Sequence, residues 1–179
     1  MNFKIKIFST KKLSNYIVEE ILKLKRTVWR HSARSHRTWF KKNIYPLDKH
    51  ILLTVRNKIV GYVALRKRSF FFKKGINFKK KSYLLFDTLI IHTNYRGQNL
   101  SKHLVKETIK ISKKTKKPLI LICKKKTVKY YKKFNWQVLR KQNIKIIDHP
   151  NTKVIMFYKF GINKKNIILN KKLNIYFKK

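Results

Sequence analysis

The hydrophobic residues of this chain change their rhythm near residue 91. Before that point short apolar stretches read as strands joined by turns; after it strand-like and helix-like periods alternate. Residues 2–8 alternate through Phe3, Ile5 and Ile7 as a first strand, and Ser9 or Thr10 then offers the cap of a helix running to about Trp29, with Leu13, Ile17, Ile21, Leu24 and Val28 mostly on one face. Residues 32–44 form a second short helix or loop. Residues 50–56 and 59–66, joined at Asn57-Lys58, read as a hairpin, and a basic loop over 73–81 leads to a strand over 82–91. Beyond it come a helix carrying Leu100, Leu104, Val105, Ile109 and Ile111, a buried strand over 119–123, a short helix over 127–134, and strands starting at Trp136 and Val154. Residues 161–179 are either an added strand or a loose basic tail. This order describes one mixed α/β sheet in a single domain over residues 1–160, with 161–179 as a basic extension.

Charge excludes whole classes of chemistry. Against 48 Lys and Arg there are six acidic residues, a formal net charge of +42. Only Glu19 and Glu20 are neighbours among the acids, and they fall on the first helix, so a paired-carboxylate site of the glycosidase or aspartic-protease kind is not expected. Such a field attracts polyanions, so salt-sensitive, non-specific adhesion to nucleic acid is expected even if A/T-rich codons produced the lysines. The single cysteine, Cys123, rules out an internal disulfide framework, suits a reducing, cytoplasmic setting, and reads as a core residue. No apolar run approaches the roughly 20 residues of a membrane span. The first nine residues lack the apolar core of a signal peptide, and a soluble chain is expected. His31 and His36, five apart, have the wrong spacing for two metal ligands on one helical face, and both read as surface residues; no metal site is expected.

The most informative segment is Phe86 to Ser101, where a strand passes through Asn94-Tyr95-Arg96-Gly97-Gln98-Asn99 into a helix. The first turn of a helix presents backbone N–H groups and the positive end of its dipole, a natural seat for a pyrophosphate. The plain alternative is an ordinary strand-to-helix loop with Gly in its bend. The segment resembles the cofactor loop of the GNAT superfamily of N-acetyltransferases, Gln/Arg-x-x-Gly-x-Gly/Ala after a strand. Arg96 holds the first position, and Asn99 and Ser101 stand where the family has glycines. A second element, Tyr130-Tyr131-Lys132-Lys133-Phe134-Asn135-Trp136, is similar to the family's Phe/Leu-Tyr-x-x-x-Gly-Phe/Trp, with Asn135 in place of the cap glycine.

The resemblance, which covers about residues 3–160, implies a GNAT-like α/β fold and acetyl-CoA as cosubstrate. It implies that Arg96, Gly97, Gln98, Asn99, Leu100, Ser101 and Lys102 cradle the diphosphate. Leu89, Ile90 and Ile91 would then run beside the pantetheine arm, which hydrogen-bonds as an added strand does and lies in a slot where this strand splays from the one over 119–123. It further implies direct transfer to a primary amine, with Tyr131 protonating the leaving thiolate and backbone N–H groups stabilising the oxyanion. Asp87 stands on the strand where family members often carry a glutamate acting through water, and is the candidate base; bonding to a nearby Lys or to Thr88 is its structural alternative.

The acceptor is then a small molecule or protein amine, an amine on a polyanion fitting the field better than an aminoglycoside, and the protein a monomer or homodimer. The competing expectation is a GNAT-fold protein without catalysis that binds RNA or ribosome through its basic surface, with Lys129-Tyr130-Tyr131-Lys132 stacking bases.

Overall fold

Short capping side chains and paired strands build the N-terminal part of the molecule, seen in a computed structural model that describes residues 2–74, 77–139, 144–147, 154–158 and 173–176. Strand β1 is Lys4–Ser9, and a 3₁₀ turn follows at Thr10–Lys12. The expected helix from Ser9 does not begin there. Ser14 takes up extended backbone and its hydroxyl accepts from the Ile17 amide at 3.3 Å, so α1 is Asn15–Arg26. Ser32 caps α2, Ala33–Asn43, in the same way.

Strand β2 (Lys49–Val55) pairs antiparallel with β1 and with β3 (Lys58–Lys74). The pairing of Val55 with Lys58 places the turn at Arg56-Asn57, one residue earlier than expected; both have positive φ, 46° and 61°, as a two-residue hairpin turn of the right twist requires. The basic stretch expected as a loop is instead extended: β3 continues to Lys74 and β4 runs Asn77–Ile91. Next come α3 (Leu100–Thr115), β5 (Leu119–Cys123), α4 (Val128–Lys132), β6 (Gln137–Val138), β7 (Ile144–Ile147), β8 (Val154–Tyr158) and β9 (Leu173–Tyr176). β7 was not expected. Of the two alternatives for 161–179, an added strand is present as β9; the remaining residues of that stretch lie outside those described.

The residues group into two compact units, Met1–Arg66 with Phe86–Thr108 and Lys67–Leu85 with Ile109–Lys179. In the first, the strand order is β1-β2-β3-β4, and α1 lays Ile21 and Leu24 on Leu52, Tyr62, Ala64 and Ile90. Each fully buried aliphatic side chain in this cluster contributes about 1.5–3 kcal/mol. Leu22 of α1 meets Phe40 of α2 and Ile44, and the two helices are also joined by a bidentate Arg37–Glu19 pair at 2.8 Å. In the second unit, β5 is next to β8, and β8 pairs antiparallel with both β5 and β6, matching Leu121 to Met156 and Val138 to Met156. β9 pairs parallel with β7 and antiparallel with the far end of β3.

Candidate active site

The end of β4 departs from regular strand geometry. Thr88 has φ 60°, a conformation that costs a β-branched residue about 1–3 kcal/mol. Its hydroxyl donates to Asp87 Oδ1 at 3.1 Å, while Arg66 of β3 donates to Asp87 Oδ2 at 2.7 Å. The candidate base is therefore held by a cation and a neighbouring hydroxyl, and its side chain remains 29% exposed. Leu89, Ile90 and Ile91 complete the strand, Ile90 buried and the other two partly so.

From Ile91 the chain turns into α3. The His92 amide donates to Val60 O at 2.8 Å, and His92 Nδ1 accepts from the Asn94 amide at 3.3 Å. After a 3₁₀ turn at Thr93–Tyr95, Arg96 reaches back and its Nε donates to Ile91 O at 3.2 Å. Gly97 follows at φ 81° and Asn99 at φ 56°. Both are left-handed, so the position where the resemblance expects glycine demands glycine-like backbone here, and Asn meets that demand better than most residues. The Lys102 amide bonds Asn99 O at 3.1 Å, closing the first turn of α3. Leu100 is buried and anchors that turn; Ser101 is partly exposed; Arg96, Gln98 and Lys102 are exposed. Gly61 lets α3 approach β3: a Cβ there would lie 2.8 Å from Ile91 Cδ1 and 3.2 Å from Leu104 Cδ1. The arrangement opens α3 with a tight left-handed bend, with Arg96 before it and Lys102 in the first turn.

The same unit holds a polar cluster that the sequence pattern did not disclose. Arg66 is buried and also donates through Nε to Asn43 O at 3.1 Å. Lys25 of α1 is only 4% exposed, and its Nζ lies 3.5 Å from the centroid of the Trp39 ring. Burial lowers the Lys25 pKa to about 8, against an opposing pull from Asp87. A signal existed: Lys25 is four residues after Ile21, on the helix's apolar face. Trp39, expected to pack, is partly buried between α1 and α2. Nearby, the Tyr62 hydroxyl lies 2.8 Å from His50 Nδ1, and His50 Nε2 lies 2.9 Å from Thr10 Oγ1. Thr10 donates onward to Asp48 O, so its oxygen accepts from His50 and the imidazole carries its proton on Nε2.

Tyr131 belongs to the second unit. It lies on α4, is 9% exposed, and its ring meets Tyr130 and Trp136 at centroid distances of 5.2 and 5.9 Å. Burial pushes its phenol well above the usual value, so the group keeps its proton through the neutral range. The Tyr131 carbonyl accepts from the Phe134 amide at 2.9 Å, and Asn135 ends this turn at φ 62°, the left-handed conformation of a helix cap. Cys123 is buried and its thiol is pushed up, as suits a packed sulfur. His36 departs from expectation: it is buried rather than on the surface, with Nε2 3.1 Å from Trp29 O. Among the described residues no group of three or more His, Cys, Asp or Glu is placed to hold a metal, and no helix is long and apolar enough to cross a membrane.

A mixed α/β sheet whose fourth strand ends in a left-handed turn opening a helix is the architecture of acyl-CoA N-acyltransferases. The sequence profile of the Acetyltransferase (GNAT) family matches residues 15–136, more than half the chain, and the chain belongs to that family. Its fold is that of the GNAT family N-acetyltransferase YhbS from Escherichia coli, solved in complex with CoA, at TM-score 0.68 and 14% identity over 98% of this chain and 91% of that one. The ribosomal-protein-S18-alanine N-acetyltransferase from Escherichia coli is similar at TM-score 0.60 and 13% identity, covering 93% of this chain and 100% of that one. Arabidopsis thaliana Naa50, in complex with the bisubstrate analogue CoA-Ac-MVNAL, gives 0.57 and 16% over 87% and 99%. No curated protein sequence matches the chain.

Proposed function

We propose that this protein is an acetyl-CoA-dependent N-acetyltransferase, cytoplasmic and contained in residues 1–160, that transfers an acetyl group directly to a primary amine. The observation that carries this reading is the pair of left-handed residues, Gly97 and Asn99, opening α3 within the segment the family profile matches. In this reading the amides of the Gly97 to Ser101 turn hold the diphosphate, with Arg96 and Lys102 adding positive field. Leu89 to Ile91 give their backbone to the pantetheine arm.

The amine nitrogen attacks the thioester carbonyl, a C–N bond forms as the C–S bond breaks, and the departing thiolate takes the proton that Tyr131 holds. The buried phenol keeps its proton through the neutral range, so the proton is there to be donated as the thiolate leaves. Asp87 accepts the proton of the incoming ammonium through water. Its carboxylate has lone pairs to spare beyond the two bonds from Arg66 and Thr88.

The test is thermal melting of the full chain with acetyl-CoA, followed by thiol release in the presence of a mixture of peptide and small-molecule amines. A stabilising shift with turnover supports the reading, and the absence of both overturns it.

A further inference from the structure

The buried cations of the first unit outnumber the anion beside them. Arg66 is neutralised by Asp87 at 2.7 Å, but among the described residues no carboxylate forms an ion pair with Lys25. Glu19 and Glu20 are committed to Arg37 and Lys23. Lys25 faces instead the Trp39 ring at 3.5 Å, and the guanidinium carbon of Arg66 lies 5.5 Å from the same ring. One indole thus supports two cations, and the single carboxylate acting on both, Asp87, is ion-paired with only one of them. An aromatic face offers a weaker hold than water does to an ammonium, so the buried charge is incompletely compensated. The charged groups acting on Lys25 are Asp87 and Arg66, and Lys25 in turn acts on His36, which burial keeps neutral.

We propose that Lys25, held on the face of Trp39 beside the Arg66–Asp87 pair, anchors an acidic group, carboxylate or phosphate, on the same molecule whose amine is acetylated. The site then joins a cation for the acceptor's acid to a part-exposed carboxylate, Asp87, for its ammonium, and the acceptor class is an amine bearing an anionic group. This rests on the acetyltransferase reading for what happens to the amine, not for the binding itself. A structural role for Lys25 alone gives a different expectation: Lys25→Met keeps the apolar stem over Trp39, removes an uncompensated charge, and changes no ligand's affinity.

The experiment uses the full chain without acetyl-CoA, at one fixed ionic strength, titrated with phosphoethanolamine, ethanolamine, β-alanine and β-alaninamide, with melting temperature and calorimetric Kd as readouts. Wild type is compared with Lys25→Met and with Lys106→Met, which removes the same charge from an exposed site on α3. The proposal expects an acid-bearing amine to bind more tightly than its neutral counterpart. That preference weakens at least about tenfold in Lys25→Met and persists in Lys106→Met. Whether β-alanine or phosphoethanolamine shows it identifies the acid as carboxylate or phosphate. Equal binding of charged and neutral probes, or equal loss in both variants, overturns the proposal. Neither result depends on turnover, so failure of acetyl transfer is read separately.

Discussion

Arg66 of β3 and Asp87 of β4 form a 2.7 Å ion pair whose cation is 6% exposed and whose carboxylate is 29% exposed. Removing the carboxylate takes from Arg66 its ion-pair partner, and from Lys25 the negative charge that acts on it. Asp87→Asn is therefore expected to destabilise the fold by about 2 kcal/mol or more, measured by chemical denaturation. It lowers the Lys25 pKa further below about 8, because Asp87 supplies the main opposing pull. As the base, Asp87 also predicts a fall in kcat/KM of about tenfold or more. A variant with unchanged turnover removes Asp87 from the chemistry while leaving its structural role.

Tyr131→Phe keeps the ring in contact with Tyr130 and Trp136 and removes only the hydroxyl. The expected result is a fall in kcat of about 10²-fold or more with acetyl-CoA affinity almost unchanged. Because burial raises the phenol, wild-type turnover is not expected to fall through loss of this proton at mildly alkaline pH. A kcat equal to wild type contradicts the assignment.

His50, fully buried between Thr10 and Tyr62, has its pKa lowered from 6.5 to about 4 by burial. The unfolded chain binds this proton at higher pH than the folded one does, so stability falls as pH drops from about 6.5 to about 4 and the contribution is gone below that. The loss attributable to His50 is on the order of 3 kcal/mol. It is read as the difference in pH dependence between wild type and His50→Phe, together with an Nε2–H tautomer by nitrogen NMR. Parallel profiles for the two proteins contradict it.

Gly61→Ala puts a methyl group within 2.8 Å of Ile91 Cδ1 and 3.1 Å of Leu53 Cβ. The expected cost is about 1–3 kcal/mol in denaturant, as the packing of α3 on β3 is pushed apart. An unchanged midpoint shows that the contact relaxes freely.

Much of this architecture was legible because local chemistry decides it. The α3 entry could be read from Gly97 and Asn99, whose types already suit a left-handed bend, and β5 from five apolar residues after Pro118. The misreadings arise where distant pairing decides. Asn57 attracts the hairpin turn, yet the match of Val55 to Lys58 moves it to Arg56-Asn57. Lysines over 73–81 look like a solvated loop, but strand pairing extends β3 and β4 through most of that stretch. The Lys25–Trp39–Arg66–Asp87 cluster stayed hidden because its members come from two helices and two strands, and because a cation on an apolar helix face is ordinarily read as an exposed one. The Thr88 bond to Asp87 was legible from adjacency, but the ion pair with Arg66, 21 positions away, was not.

The central claim is that the backbone turn at Gly97 and Asn99 seats the diphosphate of acetyl-CoA. Calorimetric titration of acetyl-CoA into wild type, Asn99→Gly and Asn99→Val tests it most directly, since Gly accepts φ 56° freely and a β-branched residue does not. The account predicts one-to-one binding that Asn99→Gly retains and Asn99→Val weakens by about tenfold or more. Equal affinity in all three, or no saturable binding by wild type, contradicts it.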